Sequence, residues 1–366
     1  MTHFSSGVMT VLPPKEGFSP ESVGAIGLLI KNLAEPGDRI VGKPLNFLPF
    51  SGIQYSSVSR SFWPFSHNRN YACGVIDLIK HYQPKMVEVH NRPELAIYLA
   101  KKCPSIVISL FLHNDPLTMR EAKTVQQRLL LMEKTHVVVV SDWLKQRFLE
   151  GLTLDQVCVL PNCINFQQLP NFVPLEDRQK RILFVGRLVA DKGADLFVQA
   201  CGEVLKYFPD WKAEMIGADR FSENSPETAF IKNLKKQAKA NQIRLRGYMS
   251  HGKVLSAMMQ SSIAIMPSRW PEPFGMTALE AMACGTPLIV SNRGALPSVV
   301  GDAAIQVDPE QPFHLVNVLK KLIKNKNICL NQSHKGLQQA KKYDLQKAKE
   351  ALRHFRLKIC PILKDF

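Results

Sequence analysis

The reading of this chain turns on residues 266–290, MPSRWPEPFGMTALEAMACGTPLIV, which hold two glutamates, Glu272 and Glu280. Pro271 and Pro273 flank the first, so its backbone is extended and cannot be helical. A helix can begin only after Pro273, near Phe274 and Gly275, and residues 276–284 are rich in helix formers. Gly285, Thr286 and Pro287 then stop it, and Leu288, Ile289 and Val290 read as a buried strand. Glu272 is thus expected on a loop ahead of a helix mouth, with Glu280 one to two turns inside. Between them the N–H groups of Phe274, Gly275, Met276 and Thr277 have no helical partner and form a site for an anion such as phosphate. A carboxylate on each side of a phosphate cradle suits a ligand with hydroxyls at both ends and a diphosphate between them. A nucleotide sugar is such a ligand.

The segment resembles the E-x7-E element of the retaining glycosyltransferases of family 4. The resemblance extends over most of residues 8–345 and is strongest in the second half. It implies an α/β fold of the GT-B type, two facing Rossmann-like domains with a cleft between them. The expected domains are residues 1–166, binding the acceptor, and residues 167–343, binding the nucleotide sugar. A last helix within 344–366 is expected to cross back to the first domain.

The bulk numbers fit this size. A chain of 366 residues can hold about two domains, and 45% hydrophobic with 21% charged residues is ordinary for a globular protein. Eight cysteines without a C-x-x-C pair argue against a zinc site or a disulfide framework and fit a reducing cytoplasm. The opening residues lack a signal-peptide pattern, and no apolar run approaches the ~20 residues of a membrane span. The net charge is +16, with 17 Lys and Arg against 13 Asp and Glu up to residue 170, and 30 against 18 beyond it. Such a surplus suits diphosphate ligands, and also peripheral contact with the anionic inner-membrane surface. No nucleic-acid partner is expected, because no zinc finger, helix-turn-helix or aromatic-basic RNA signature is present.

In the first half, residues 8–12 read as a strand leading to Glu16, Gly17 and Phe18, with Ser19 as an N-cap and Pro20 opening a helix. The resemblance puts this loop in the cleft beside the donor phosphates and acceptor; for Glu16 a plain turn is equally open. Residues 44–70, with Phe47, Phe50, Tyr55, Phe62, Trp63 and Phe65, read as a long loop for a bulky acceptor or for edge packing. Two strands, 86–89 and 106–112, end in His90-Asn91-Arg92 and His113-Asn114. His113 matches the family's cleft histidine near the donor sugar, while His90 is open between a structural and a binding role. Arg92 suits an anionic group on the acceptor. A helix is expected around 119–132 and another over 141–150, before Pro161-Asn162 marks the end of the domain.

In the second half, residues 167–180 read as a linker and 181–185 as a strand, followed by Gly186-Arg187-Leu188 and Asp191-Lys192-Gly193. No Asp-x-Asp offers ligands for a divalent metal, and no cofactor is expected. Arg187 and Lys192 would instead stabilise the charge of a departing diphosphate. The helix at 227–240, with Lys232, Lys235, Lys236 and Lys239, reads as a solvated face. Gly247 and Tyr248 resemble the segment that brackets the nucleobase, though core packing of Tyr248 is equally open. Helices are expected over 312–325 and about 344–358, the latter with a basic face of Lys347, Arg353, Arg356 and Lys358.

The reading is therefore a metal-independent retaining transfer of a sugar from a UDP- or GDP-sugar to a hydroxyl of a glycan or lipid-linked saccharide. The expected setting is bacterial lipopolysaccharide core or surface-polysaccharide synthesis, at the cytoplasmic side of the membrane. His113, Glu272, Arg187 and Lys192 are the catalytic candidates. Glu16, Gly17, His90, Gly186, Gly247, Tyr248, Phe274, Gly275, Met276, Thr277 and Glu280 are the binding candidates. Two alternatives share the layout: a nucleotide-sugar 2-epimerase, and a sugar-nucleotide-binding protein without catalysis.

Overall fold

The computed structural model describes residues 7–58, 67–219 and 227–365. Phe62, Trp63 and Phe65 of the expected acceptor loop, and the opening six residues read for a signal peptide, lie outside these. The chain divides into two compact units, Met1–Cys163 with Leu345–Phe366, and Ile164–Asp344. Among the described residues no helix is long and apolar enough to cross a membrane.

The first unit begins with β1 (Val8–Val11), the short strands β2 (Phe18–Ser19) and β3 (Ser22–Val23), and α1 (Ala25–Leu33). β4 (Arg39–Gly42), β5 (Gln54–Ser57), α2 (His67–Tyr82), β6 (Met86–His90) and α3 (Pro93–Lys102) follow. β7 (Val107–Leu112), α4 (Val125–Lys134), β8 (His136–Val139), α5 (Asp142–Leu149) and β9 (Cys158–Val159) complete the alternation. Seven strands form one sheet in the order β5-β4-β1-β6-β7-β8-β9, every pair parallel. Strand order reverses at β1 and β6, so the loops after these two strands open the crevice in which such sheets bind ligands.

The second unit repeats the scheme with β10 (Gln179–Val185), α6 (Ala194–Leu205), β11 (Lys212–Ile216), α7 (Ala229–Ala240) and β12 (Arg244–Leu245). It continues through α8 (His251–Met259), β13 (Ser261–Met266), α9 (Met276–Ala283), β14 (Leu288–Ser291), α10 (Leu296–Val300), β15 (Ile305–Val307), α11 (Pro312–Lys324) and α12 (Lys326–Ala340). The parallel sheet runs β12-β11-β10-β13-β14-β15, the doubly wound Rossmann order, with its reversal between β10 and β13. Ile182, Phe184, Ala213 and Met215 feed one buried core with Phe197, Cys201, Leu319 and Leu322.

Several local expectations are corrected. Ser19 does not cap a helix; its Oγ accepts the Ser22 N–H at 3.1 Å and closes the β2–β3 turn. α1 starts after Gly24, and the Glu16 carboxylate accepts the Gly27 N–H at 2.9 Å at its mouth. Residues 44–70 are not one loop, since they contain β5 and the start of α2. β5 is a polar edge strand, Gln-Tyr-Ser-Ser, held on β4 where Arg39 donates to Ser56 at 3.0 Å. α4 starts at Val125 rather than near 119 because Thr124 and Gln127 form a capping box. The expected linker is pinned at buried Arg178, which donates to the Cys284 carbonyl at 2.8 Å and to Thr286 at 3.1 Å.

α13 (Leu345–Ile359) belongs to the first unit. Leu352 and Phe355 pack with Met86, Phe111 and Val138. Arg356, expected on a basic surface, is 7% exposed and donates to both Glu88 oxygens at 2.9 and 2.8 Å and to Asp38 at 3.0 Å. Burial opposes its charge, but these carboxylates outweigh it and hold the guanidinium pKa above its ordinary value.

Candidate active site

The site of the second unit lies at the carboxyl edge of β10 and β13, where the strand order reverses. After β10 the chain turns through Ala190–Lys192 into α6, and after β13 through residues 267–275 into α9. The two turns are zipped together. The Asp191 carbonyl accepts the N–H groups of Arg269 and Trp270, each at 2.9 Å. Arg269 forms a two-pronged pair with Asp195 at 2.7 and 2.8 Å, which raises its pKa. Gly193, at φ 68°, lets the turns meet, because a Cβ there would stand 2.0 Å from the Pro267 carbonyl oxygen.

This closeness brings Lys192 to Glu272. Lys192 Nζ donates to Glu272 Oε1 at 2.6 Å, and Ser268 Oγ donates to the same oxygen at 2.8 Å. The glutamate is 5% exposed, and its Oε2 has no partner among the described residues. Its backbone is fixed as well: the Glu272 carbonyl accepts the Ala295 N–H at 2.8 Å. Gly294, at φ 63°, permits this approach, since a Cβ there would lie 2.4 Å from the Glu272 backbone.

α9 opens directly beyond, with Gly275 as its N-cap at φ 97° and no side chain capping it. The N–H groups of residues 274–277 meet no acceptor among the described residues. Phe274 is buried edge-on against Tyr343, ring centroids 5.4 Å apart, which holds the mouth of the helix in place. Glu280 stands about 6 Å further along the axis than Met276. Its Oε1 takes a 2.8 Å hydrogen bond from His251 Nε2 at the start of α8. That bond raises the His251 pKa, against the opposing effect of burial. Arg187 is exposed, and its guanidinium has no partner among the described residues. The Gly186 N–H is held by the Ile216 carbonyl at 3.0 Å, and the Gly247 carbonyl accepts the Gly217 N–H at 2.9 Å. Tyr248 is 79% exposed and is not a core residue.

In the first unit His90 and His113 meet at the ends of β6 and β7. Their rings stack at 5.2 Å, with His90 Nδ1 2.9 Å from His113 Nε2. Asn91, between His90 and Arg92, has a left-handed backbone (φ 57°), and its Oδ1 accepts the His113 N–H at 3.2 Å. Such strain at a strand end is common beside ligands. His90 Nε2 is buried without a partner among the described residues. Burial, with Arg356 adding repulsion, lowers the His90 pKa to about 3, and burial with His90 beside it takes His113 well below its ordinary value. Both rings are therefore neutral. Leaving a bare lone pair at His90 Nε2 costs less than burying an orphan N–H, so His90 donates from Nδ1 and His113 carries its own proton on Nδ1. Glu16 and Gly17 lie after β1; Glu16 is taken up by α1, and burial raises its pKa.

Sequence reasoning missed His251 and Ser268. Ser268 stands four residues before Glu272 on an extended loop, and His251 is 29 residues before Glu280. Neither spacing announces contact, and only the fold supplies it.

Residues 165–342 match the family model described as Glycosyl transferases group 1. A putative glycosyltransferase of Bacillus subtilis, YtcC, is 26% identical over 233 residues, which cover 59% of this chain and 57% of the relative. The chain thus spans little more than half the length of that curated relative. The structure resembles Anabaena HepE solved with UDP and glucose (TM-score 0.76, 15% identity, 95% of this chain and 98% of the other). It also resembles WaaG, a glycosyltransferase involved in lipopolysaccharide biosynthesis (TM-score 0.69, 14% identity, 94% and 98%). The fold is GT-B, with two Rossmann-like domains, and the second unit is similar to the glycosyl transferases of group 1.

Proposed function

We propose that this protein transfers a sugar, with retention at the anomeric carbon, from a UDP- or GDP-sugar to a hydroxyl of a glycan or lipid-linked saccharide. One observation carries the reading: Glu272 is fixed by Lys192 and Ser268 directly ahead of the open amides of α9, with Glu280 further along the same helix. HepE, whose fold is shared, binds UDP and glucose, which supports a nucleotide-sugar donor.

In this mechanism Glu280 accepts ribose hydroxyls, and His251 sets the direction of its carboxylate. Glu272 takes a sugar hydroxyl at its unpartnered oxygen. The amides of residues 274–277, Arg187 and Lys192 hold the diphosphate. The bond from the anomeric carbon to the phosphate oxygen breaks with its electron pair going to the diphosphate. The acceptor oxygen bonds to that carbon on the same face, and its proton passes to the departing phosphate oxygen. Lys192 and Arg187 offset the charge that develops, and no step is assigned to a metal.

The first unit supplies the acceptor pocket, a cavity of about 320 Å³ lined by Pro14, Tyr71, Arg92, Leu95, Tyr98 and Arg120 among others. Its two tyrosines suit sugar faces, and its arginines suit an anionic group on the acceptor. By likeness to WaaG, the pathway is lipopolysaccharide core or surface-polysaccharide synthesis, with the enzyme peripheral at the cytoplasmic face of the inner membrane.

A thermal-shift panel of UDP, GDP, ADP and their sugars tests the donor. A ligand at 100 times its Kd stabilises the fold by about 2.7 kcal/mol. UDP or GDP should raise the melting temperature clearly above ADP. No shift with any nucleotide would remove the reading.

A further inference from the structure

On the second unit, alternate residues of three strands make a face unlike the core on the other side. Ile182, Phe184, Ala213 and Met215 enter that core, while Arg181, Lys212, Glu214 and Arg244 alternate with them and point the opposite way. Together with Arg246 and Lys253 of the following segment they line a cavity of about 640 Å³ beside α8. None of Arg187, Lys192, Glu272, Glu280 or residues 274–277 lines it.

The charge of this cavity does not balance. Glu214 is its single carboxylate and is shared by three guanidinium groups, Arg246 at 3.0 Å, Arg181 at 3.4 Å and Arg244 at 3.9 Å. Lys212 and Lys253 have no partner among the described residues. Five cations thus face one carboxylate, and Arg181 is only 6% exposed. Like charges held this close in a recess repel one another unless an anion joins them. Forked guanidinium groups with two mobile ammonium groups match the oxygens of a phosphate. The volume is that of a small-molecule site.

We propose that this cavity is a second anion site, separate from the donor site, that takes a phosphate group carried by a soluble metabolite or by a lipid head group. The proposal does not depend on the identity of the sugar donor.

The test uses the full chain, inorganic phosphate and vesicles. Arg244→Ser with Lys253→Ser removes two exposed cations without touching buried Arg181. Lys232→Ser with Lys236→Ser removes the same charge from the exposed face of α7 as a control. For a soluble ligand, calorimetry should show phosphate binding that weakens about tenfold or more in the cavity variant and holds in the control and in Lys192→Ala. For a lipid source, vesicles containing phosphatidylglycerol, and not phosphatidylcholine alone, should sediment with the wild type and the control but not with the cavity variant. Equal behaviour of cavity variant and control in both assays overturns the proposal. So does phosphate binding that is lost in Lys192→Ala and kept in the cavity variant.

Discussion

At Glu272 one carboxylate oxygen takes hydrogen bonds from both Lys192 and Ser268, so the protein sets the direction of the other oxygen before any ligand arrives. A fixed acceptor of this kind orients a hydroxyl with little reorganisation. His90 does comparable work for His113. Because burial keeps His90 neutral, with its pKa near 3, the unfolded chain binds a proton that the folded protein refuses between that value and about 6.5. Stability should then be full above about pH 6.5 and fall as the pH drops, by up to about 1.4 kcal/mol per pH unit for this ring. His90→Asn keeps a donor near Nδ1 and removes the titration, so urea unfolding from pH 7 to 4 should show a shallower acid loss than wild type. An equal slope would mean that His90 is charged in the fold.

Two helices are tied to their neighbours by charged side chains. α8 and α9 are joined by His251 and Glu280, and the pKa of His251 is raised by that hydrogen bond. The folded protein keeps this proton to higher pH than the unfolded chain, so the contribution is complete below about pH 6.5 and fades as the pH rises through the folded value. The stability difference between wild type and His251→Ala should therefore be larger at pH 6 than at pH 9; a constant difference would show that the ring is uncharged. α13 is tied to β6 through Arg356, whose loss removes the buried cation that pairs with Glu88 and Asp38. Arg356→Leu should cost about 3–5 kcal/mol. Hydrogen exchange should speed up in β6 and α13 while β10 and β13 keep their protection. Unchanged exchange in β6 would show that apolar packing alone holds α13.

The alternation of apolar strands and capped helices made both Rossmann-like halves legible in the sequence, because buried parallel strands such as residues 182–184 and 288–290 are apolar throughout. Elements that bury little apolar surface were not legible. β5 is polar and lies at a sheet edge, and α12 faces the core with Cys329, Gln332, Ser333, Gly336 and Ala340, which give no hydrophobic period. At the site the loop-to-helix frame from Glu272 to Glu280 could be read from its prolines and glycines. The partners of these glutamates could not, since Lys192, Ser268 and His251 meet them only once the strands are ordered. The central claim is that protein cations and helix amides carry the charge of a leaving nucleotide. It is tested most directly by kcat of Lys192→Ala with the donor that the thermal-shift panel selects, alongside wild type in EDTA. The account predicts a loss of about 10²–10³ in kcat for a variant whose circular dichroism is native, and no loss for wild type in EDTA. An unchanged kcat in Lys192→Ala would contradict it.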